Sequence, residues 1–102
     1  MRTISLRRLK EYWEVYAATE APLKHWYRIT NAAQWTTLND VRATFPNADR
    51  VTVGSERSVV VFNVGKTGHR LITAVHYNTQ LVFVLRLVHH DEYERGRWKD
   101  EL

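Results

Sequence analysis

Residues 59–93 read VVVFNVGKTGHRLITAVHYNTQLVFVLRLVHHDEY, and the reading of this stretch decides the fold. Three apolar runs rich in β-branched residues, Ser58–Val64, His69–Tyr77 and Gln80–His90, are separated by short polar gaps. Such side chains suit the pleated surface of a strand. The gaps are Gly65-Lys66-Thr67-Gly68 and Asn78-Thr79. Parallel strands need a crossover of about a dozen residues or more, so these gaps predict antiparallel hairpins.

The first half is patterned differently. Ser5 can cap a helix whose apolar positions are Leu6, Leu9, Trp13, Tyr16 and Ala17. Thr19 can start a second helix, with Pro22 tolerated in its first turn and Leu23, Trp26, Tyr27 and Thr30 along one stripe. Thr37 and Asp40 have capping-box spacing for a short third helix that turns Leu38, Val41 and Phe45 inward and stops before Pro46. Between this helix and the apolar runs, Val51 and Val53 alternate with polar residues, which suggests a strand before the turn at Gly54-Ser55. The expected product is an α+β fold. Helices from the N-terminal half pack on one face of a twisted antiparallel sheet, and a short helix follows His90. The 102 residues are enough for one small domain, 1–102, with a single core.

Composition excludes several classes. No apolar run approaches the length of a membrane span. The basic start, MRTISLRRLKEYWEVY, lacks the apolar core of a signal peptide. The absence of cysteine removes disulfides and thiolate metal sites, which suits a reducing cytoplasm. A formal charge of +4 is modest, and it argues for an acidic partner only where cations converge. Four Trp and five Tyr are many for this length; they serve a small core, or offer surfaces on which RNA bases stack.

The polar residues in and after the apolar runs carry the candidate chemistry. Strand alternation puts Arg70 on one face with Ile72 and Ala74, and Arg86 on one face with Val84, Val88 and His90. Antiparallel pairing brings Arg70 opposite residues 86 to 88, so Arg70 and His90 meet at one end of the sheet. Tyr93 follows one helical turn later. A cation, an imidazole and a phenol at one rim form a set suited to phosphodiesters. Arg grips a phosphate with a planar fork of donors, His moves protons near neutral pH, and Tyr donates or positions. Each residue also has a plainer reading: an exposed His, a Tyr covering the sheet edge, an Arg paired with a carboxylate. No metal site is expected at His89-His90-Asp91-Glu92. Adjacent residues of a strand point to opposite faces, and no recognised ligand spacing is present. Gly65-Lys66-Thr67-Gly68 lacks phosphate-loop spacing and reads as a hairpin turn with Lys66 at its tip.

A series of short motifs runs through nearly the whole chain. Arg-Leu-Lys-Glu-Tyr-Trp occupies 8–13, Ala-Pro-Leu-Lys-His-Trp-Tyr 21–27 and Asn-Asp-Val-Arg-Ala-Thr-Phe-Pro 39–46. Val-Phe-Asn-Val at 61–64, His-Arg-Leu-Ile at 69–72 and His-Asp-Glu-Tyr at 90–93 complete it. In this order they resemble the HigB family of type II toxins, within the RelE/ParE-like superfamily. The resemblance implies a RelE-like fold and a metal-independent endoribonuclease that cuts messenger RNA on the ribosome, without a cofactor. The implied partners are that mRNA, a HigA-type helix-turn-helix antitoxin, and operator DNA reached through the antitoxin. It also implies catalytic roles for Arg70, His90 and Tyr93, and RNA contacts from Lys66, Arg86 and His89. The chain departs from the family pattern at His69, where Tyr is usual, at Lys66-Thr67, where Gly-Asn is frequent, at His89, where Thr is usual, and at Glu94, where Asp is usual. The same superfamily scaffold also serves as a non-catalytic binding protein, a gyrase inhibitor or an antitoxin-bound co-repressor, which is the competing expectation.

Overall fold

The computed structural model describes residues 1–102. In chain order the elements are β1 (Arg2–Ile4), α1 (Leu6–Val15), a 3₁₀ turn (Ala17–Thr19), α2 (Glu20–Ala32), α3 (Leu38–Thr44), β2 (Asp49–Thr52), β3 (Ser58–Val64), β4 (His69–His76), β5 (Leu81–His89), α4 (His90–Arg95) and α5 (Arg97–Glu101). The strands form one sheet in the order β1-β5-β4-β3-β2.

The α+β layout and the antiparallel run from β2 to β5 are as the patterning predicts. One strand lay outside that expectation. β1 pairs parallel to β5, with Thr3 beside Val82, and makes the sheet mixed. Three residues are too few to display a period, and its partner lies far along the chain. The helical segment between them supplies the crossover that parallel pairing needs.

The sheet buries both faces. Leu9, Leu23, Trp26, Trp35, Val41, Phe62, Leu71 and Val82 fill the space between the N-terminal helices and one face. Phe62 is its centre, with Trp26 at 5.4 Å and Phe45 at 5.3 Å between ring centroids, both edge-on. Edge-to-face contact is the favoured arrangement for such rings. On the other face Val59, Val61, Ile72 and Val88 are covered by Trp98 of α5. β3 therefore alternates between two interiors, which explains its unbroken apolar run.

Local signals act as expected in part. Ser5 Oγ accepts from the Arg8 amide at 3.2 Å and caps α1. Thr37 and Asp40 form the capping box of α3. The first helix, however, ends at Val15, leaving Tyr16 half-exposed rather than in its apolar stripe. Thr19 does not cap α2 through its side chain; its hydroxyl donates to the Tyr16 carbonyl at 2.6 Å and holds the 3₁₀ turn.

β5 carries a bulge. Ile72 faces Arg86 while Thr73 faces Val84, so Leu85 is the extra residue. The bulge reverses the alternation. Val84 joins the helix-side core, whereas Arg86 shares the opposite face with Ile72 and Val88. The expectation of Val84, Arg86 and Val88 on one face is thus corrected.

Trp98 is 1 % exposed, and its indole N–H donates to the Tyr93 carbonyl at 3.1 Å. Trp98→Ala should destabilise the protein by about 3–5 kcal/mol, the usual range for deleting a buried aromatic ring. A lowered urea midpoint checks this, and Trp98→Phe should restore most of the loss.

Candidate functional site

The site is built where β5 ends and α4 begins. His69 pairs with His89 across the β4–β5 ladder, and Arg70 pairs with Val88. At His89 the backbone is still extended (φ −76°, ψ 157°), and His90 is the first helical residue. Strand alternation therefore stops at this pair, and both imidazoles lie on the same side, with ring centroids 4.2 Å apart. The expectation that they point to opposite faces fails for this reason.

Gly68 makes the junction possible. Its φ is +80°, a conformation that glycine adopts without strain. A Cβ there would stand 3.0 Å from His89 Nε2 and 3.3 Å from His90 Nδ1. Its carbonyl accepts from the His90 amide at 2.7 Å, tying the β3–β4 turn to the start of α4. Thr67 Oγ1 lies 3.3 Å from His69 Nδ1 and accepts from the His69 amide at 3.2 Å.

Four rings line this rim. Tyr16 lies 4.8 Å from His69, His69 lies 5.2 Å from His89, and His90 completes the row. Asp91 faces both strand-end histidines: His90 Nε2 is 3.0 Å from Oδ1, and His89 Nδ1 is 3.7 Å from Oδ2. Burial, reinforced by the neighbouring His89, lowers the pKa of His69 below its ordinary value, against the opposing influence of the Thr67 hydrogen bond.

Arg70 lies on the other face of the same sheet end, the face that carries Val88. Its guanidinium stands 5.8 Å from the centre of the Tyr93 ring, and its Nη1 reaches the His69 carbonyl at 3.5 Å. Tyr93 stacks on Trp98 at 5.3 Å. Burial and the nearby Asp49 raise the Tyr93 pKa, Arg70 opposing them, so the hydroxyl stays a proton donor at neutral pH.

The expected residues thus divide into groups. His89 and His90 come together, and Arg70 and Tyr93 come together across the rim. Lys66 is exposed in the turn beside them. Arg86 lies further along β5, where its guanidinium is ion-paired with Glu101. His69 and Tyr16 were missed as site residues. The sequence marks His69 only as a departure from a motif, and apolar spacing puts Tyr16 in a helix core. The register that pairs His69 with His89 is the signal that would have found the first.

The model of the HigB toxin family, the RelE-like toxic component of a toxin–antitoxin system, matches residues 19–96. The chain belongs to this family. No curated protein matches it. The matched span holds every rim residue named above except Tyr16, and leaves out α1, α5 and Trp98. A HigB toxin has an antitoxin as its partner. No helix is long and apolar enough to cross a membrane.

The lowered His69 pKa has a definite sign. The folded protein resists protonating this ring more than the unfolded chain does. Its contribution to stability is intact above the unfolded value, about 6.5, and is lost as pH falls from there through the lower folded value. Urea midpoints should therefore drop between pH 7.5 and 5.5 in part through this ring, and His69→Asn should flatten that slope.

Proposed function

We propose that the chain is a metal-independent, ribosome-dependent endoribonuclease: the toxin of a type II pair, one domain over residues 1–102, acting in the cytoplasm on messenger RNA. The reading rests on one observation. Imidazoles on one face, and a guanidinium beside a protonated phenol on the other, border the sheet end where β5 passes into α4.

Each group has a task in cleaving RNA. The ribose 2′-oxygen attacks phosphorus, a P–O2′ bond forms and the P–O5′ bond breaks. His90 takes the 2′ proton, the role of a general base that an imidazole nitrogen with a free lone pair can fill. Asp91, 3.0 Å from His90 Nε2, favours the tautomer that leaves Nδ1 as the acceptor. The leaving 5′-oxygen needs a proton, which a protonated neighbouring imidazole, such as that of His89, supplies. Arg70 stabilises the extra charge on the phosphorane, and Tyr93 donates to or positions a phosphate oxygen. Lys66 and Arg86 hold flanking phosphates, Arg86 after exchanging Glu101 for the RNA. The antitoxin is of the HigA helix-turn-helix type, and operator DNA is reached through it.

Arg70→Ala and His90→Ala should fold yet lose about 10²–10⁴-fold in cleavage of ribosome-bound mRNA, as deletions of charge-stabilising and proton-transfer groups do. Tyr93→Phe should cost about tenfold, the scale of one hydrogen bond. Mapping of transcript ends after brief induction checks this, and codon-phased cuts should disappear in the first two variants while growth recovers. Full toxicity in both variants would refute the assignment, as would cleavage abolished by a chelator. Intact transcripts with stalled replication would point instead to a gyrase inhibitor.

A further inference from the structure

The strand-end histidines also have the geometry of a metal site. We propose that His89, His90 and Asp91 bind a divalent first-row transition metal of the zinc type, with one position left for water. Each residue offers one ligand atom, and the three atoms lie within 4.8 Å of one another. The two contacts to the carboxylate are 3.0 Å from His90 Nε2 and 3.7 Å from His89 Nδ1. A tetrahedral zinc ion with ligands at about 2.0–2.2 Å needs its donor atoms about 3.4 Å apart. The two imidazole–carboxylate separations, to different oxygens of Asp91, lie on either side of that value, and the remaining spread of up to 4.8 Å is what side-chain rotation must close.

The donors can close on an ion at small cost. The side chains of His89, His90 and Asp91 are 44 %, 51 % and 68 % exposed, so their rotation disturbs no core. Their backbone positions are nonetheless fixed. His90 is held by its bond to the Gly68 carbonyl, and His89 is the last residue of the longest strand pairing. The His69 ring packs edge-on against His89 and limits its swing. Two imidazoles and one carboxylate favour zinc, nickel or copper over magnesium and calcium, which prefer all-oxygen shells. Three protein ligands leave the fourth tetrahedral position to solvent.

A consequence follows if the RNA-cleavage reading is right, and it rests on that reading. An ion on His90 Nε2 leaves the ring's one proton on Nδ1, the atom that would accept the 2′ proton, so the metal-loaded toxin is silenced reversibly.

Binding is tested without RNA, so its failure is separable from failure of the cleavage reading. Zinc chloride is titrated into the full chain while histidine ring resonances are followed by NMR and affinity is measured by calorimetry. His25 and His76 serve as internal controls. We expect one equivalent to shift His89 and His90 together, to leave His25 and His76 in place, and to be unmatched by magnesium. His89→Gln and His90→Gln should each weaken binding at least tenfold. The wild-type resonances decide the matter even if a variant misfolds. Equal shifts at all five histidines, or unchanged affinity in a folded His89→Gln/His90→Gln double variant, would overturn the proposal.

Discussion

The pairing of β4 with β5 is the constraint on which the site depends. It sets His69 opposite His89 and Arg70 opposite Val88, and so assigns imidazoles to one face of the sheet end and a guanidinium to the other. A slip of one residue would exchange those faces and drive Leu71 and Ile72, both fully buried, into the wrong interiors. Burial of the strands on both sides makes this register costly to leave. The same apolar packing that stabilises the protein therefore places its polar chemistry.

That placement produces a rim rather than a pocket. The imidazoles sit beside Tyr16 on the helix side, while Arg70 and Tyr93 sit beside Trp98 on the other. A substrate engaged by both groups must straddle the sheet end. An extended phosphodiester backbone has the shape to do so. The separation also gives the two groups different surroundings. The phenol is kept protonated by burial beside a carboxylate, and the histidines remain near solvent.

Much of this architecture is legible in the sequence alone. β3 coincides with the run Ser58–Val64 because both its faces are buried, and the Gly-bracketed turn marks its end. The helix caps at Ser5 and Thr37 are local hydrogen bonds, and short sequence motifs encode such bonds well. β1 was not legible, since its pairing depends on a partner far along the chain. Nor was the bulge, because nothing in LVFVLRLVH marks Leu85 as the residue to be skipped. That Arg70, His90 and Tyr93 reach one end of the sheet is legible from their positions, but the row of rings is not. His69 joins His89 only through register, and His89 joins His90 only because a strand stops between them.

The two margins of the sheet are unlike. At β1 the outward amide of Thr3 is taken by the Asn31 side chain of α2 at 3.1 Å, which seals that border. At β2 no side chain bonds the outer backbone in this way; Arg42 of α3 pairs with Asp49 at 3.5 Å, and Asp49 and Arg50 are both exposed along the four-residue strand. Any strand added to the sheet can therefore approach from one side only, past charged side chains of the kind that discourage indiscriminate pairing at a free edge.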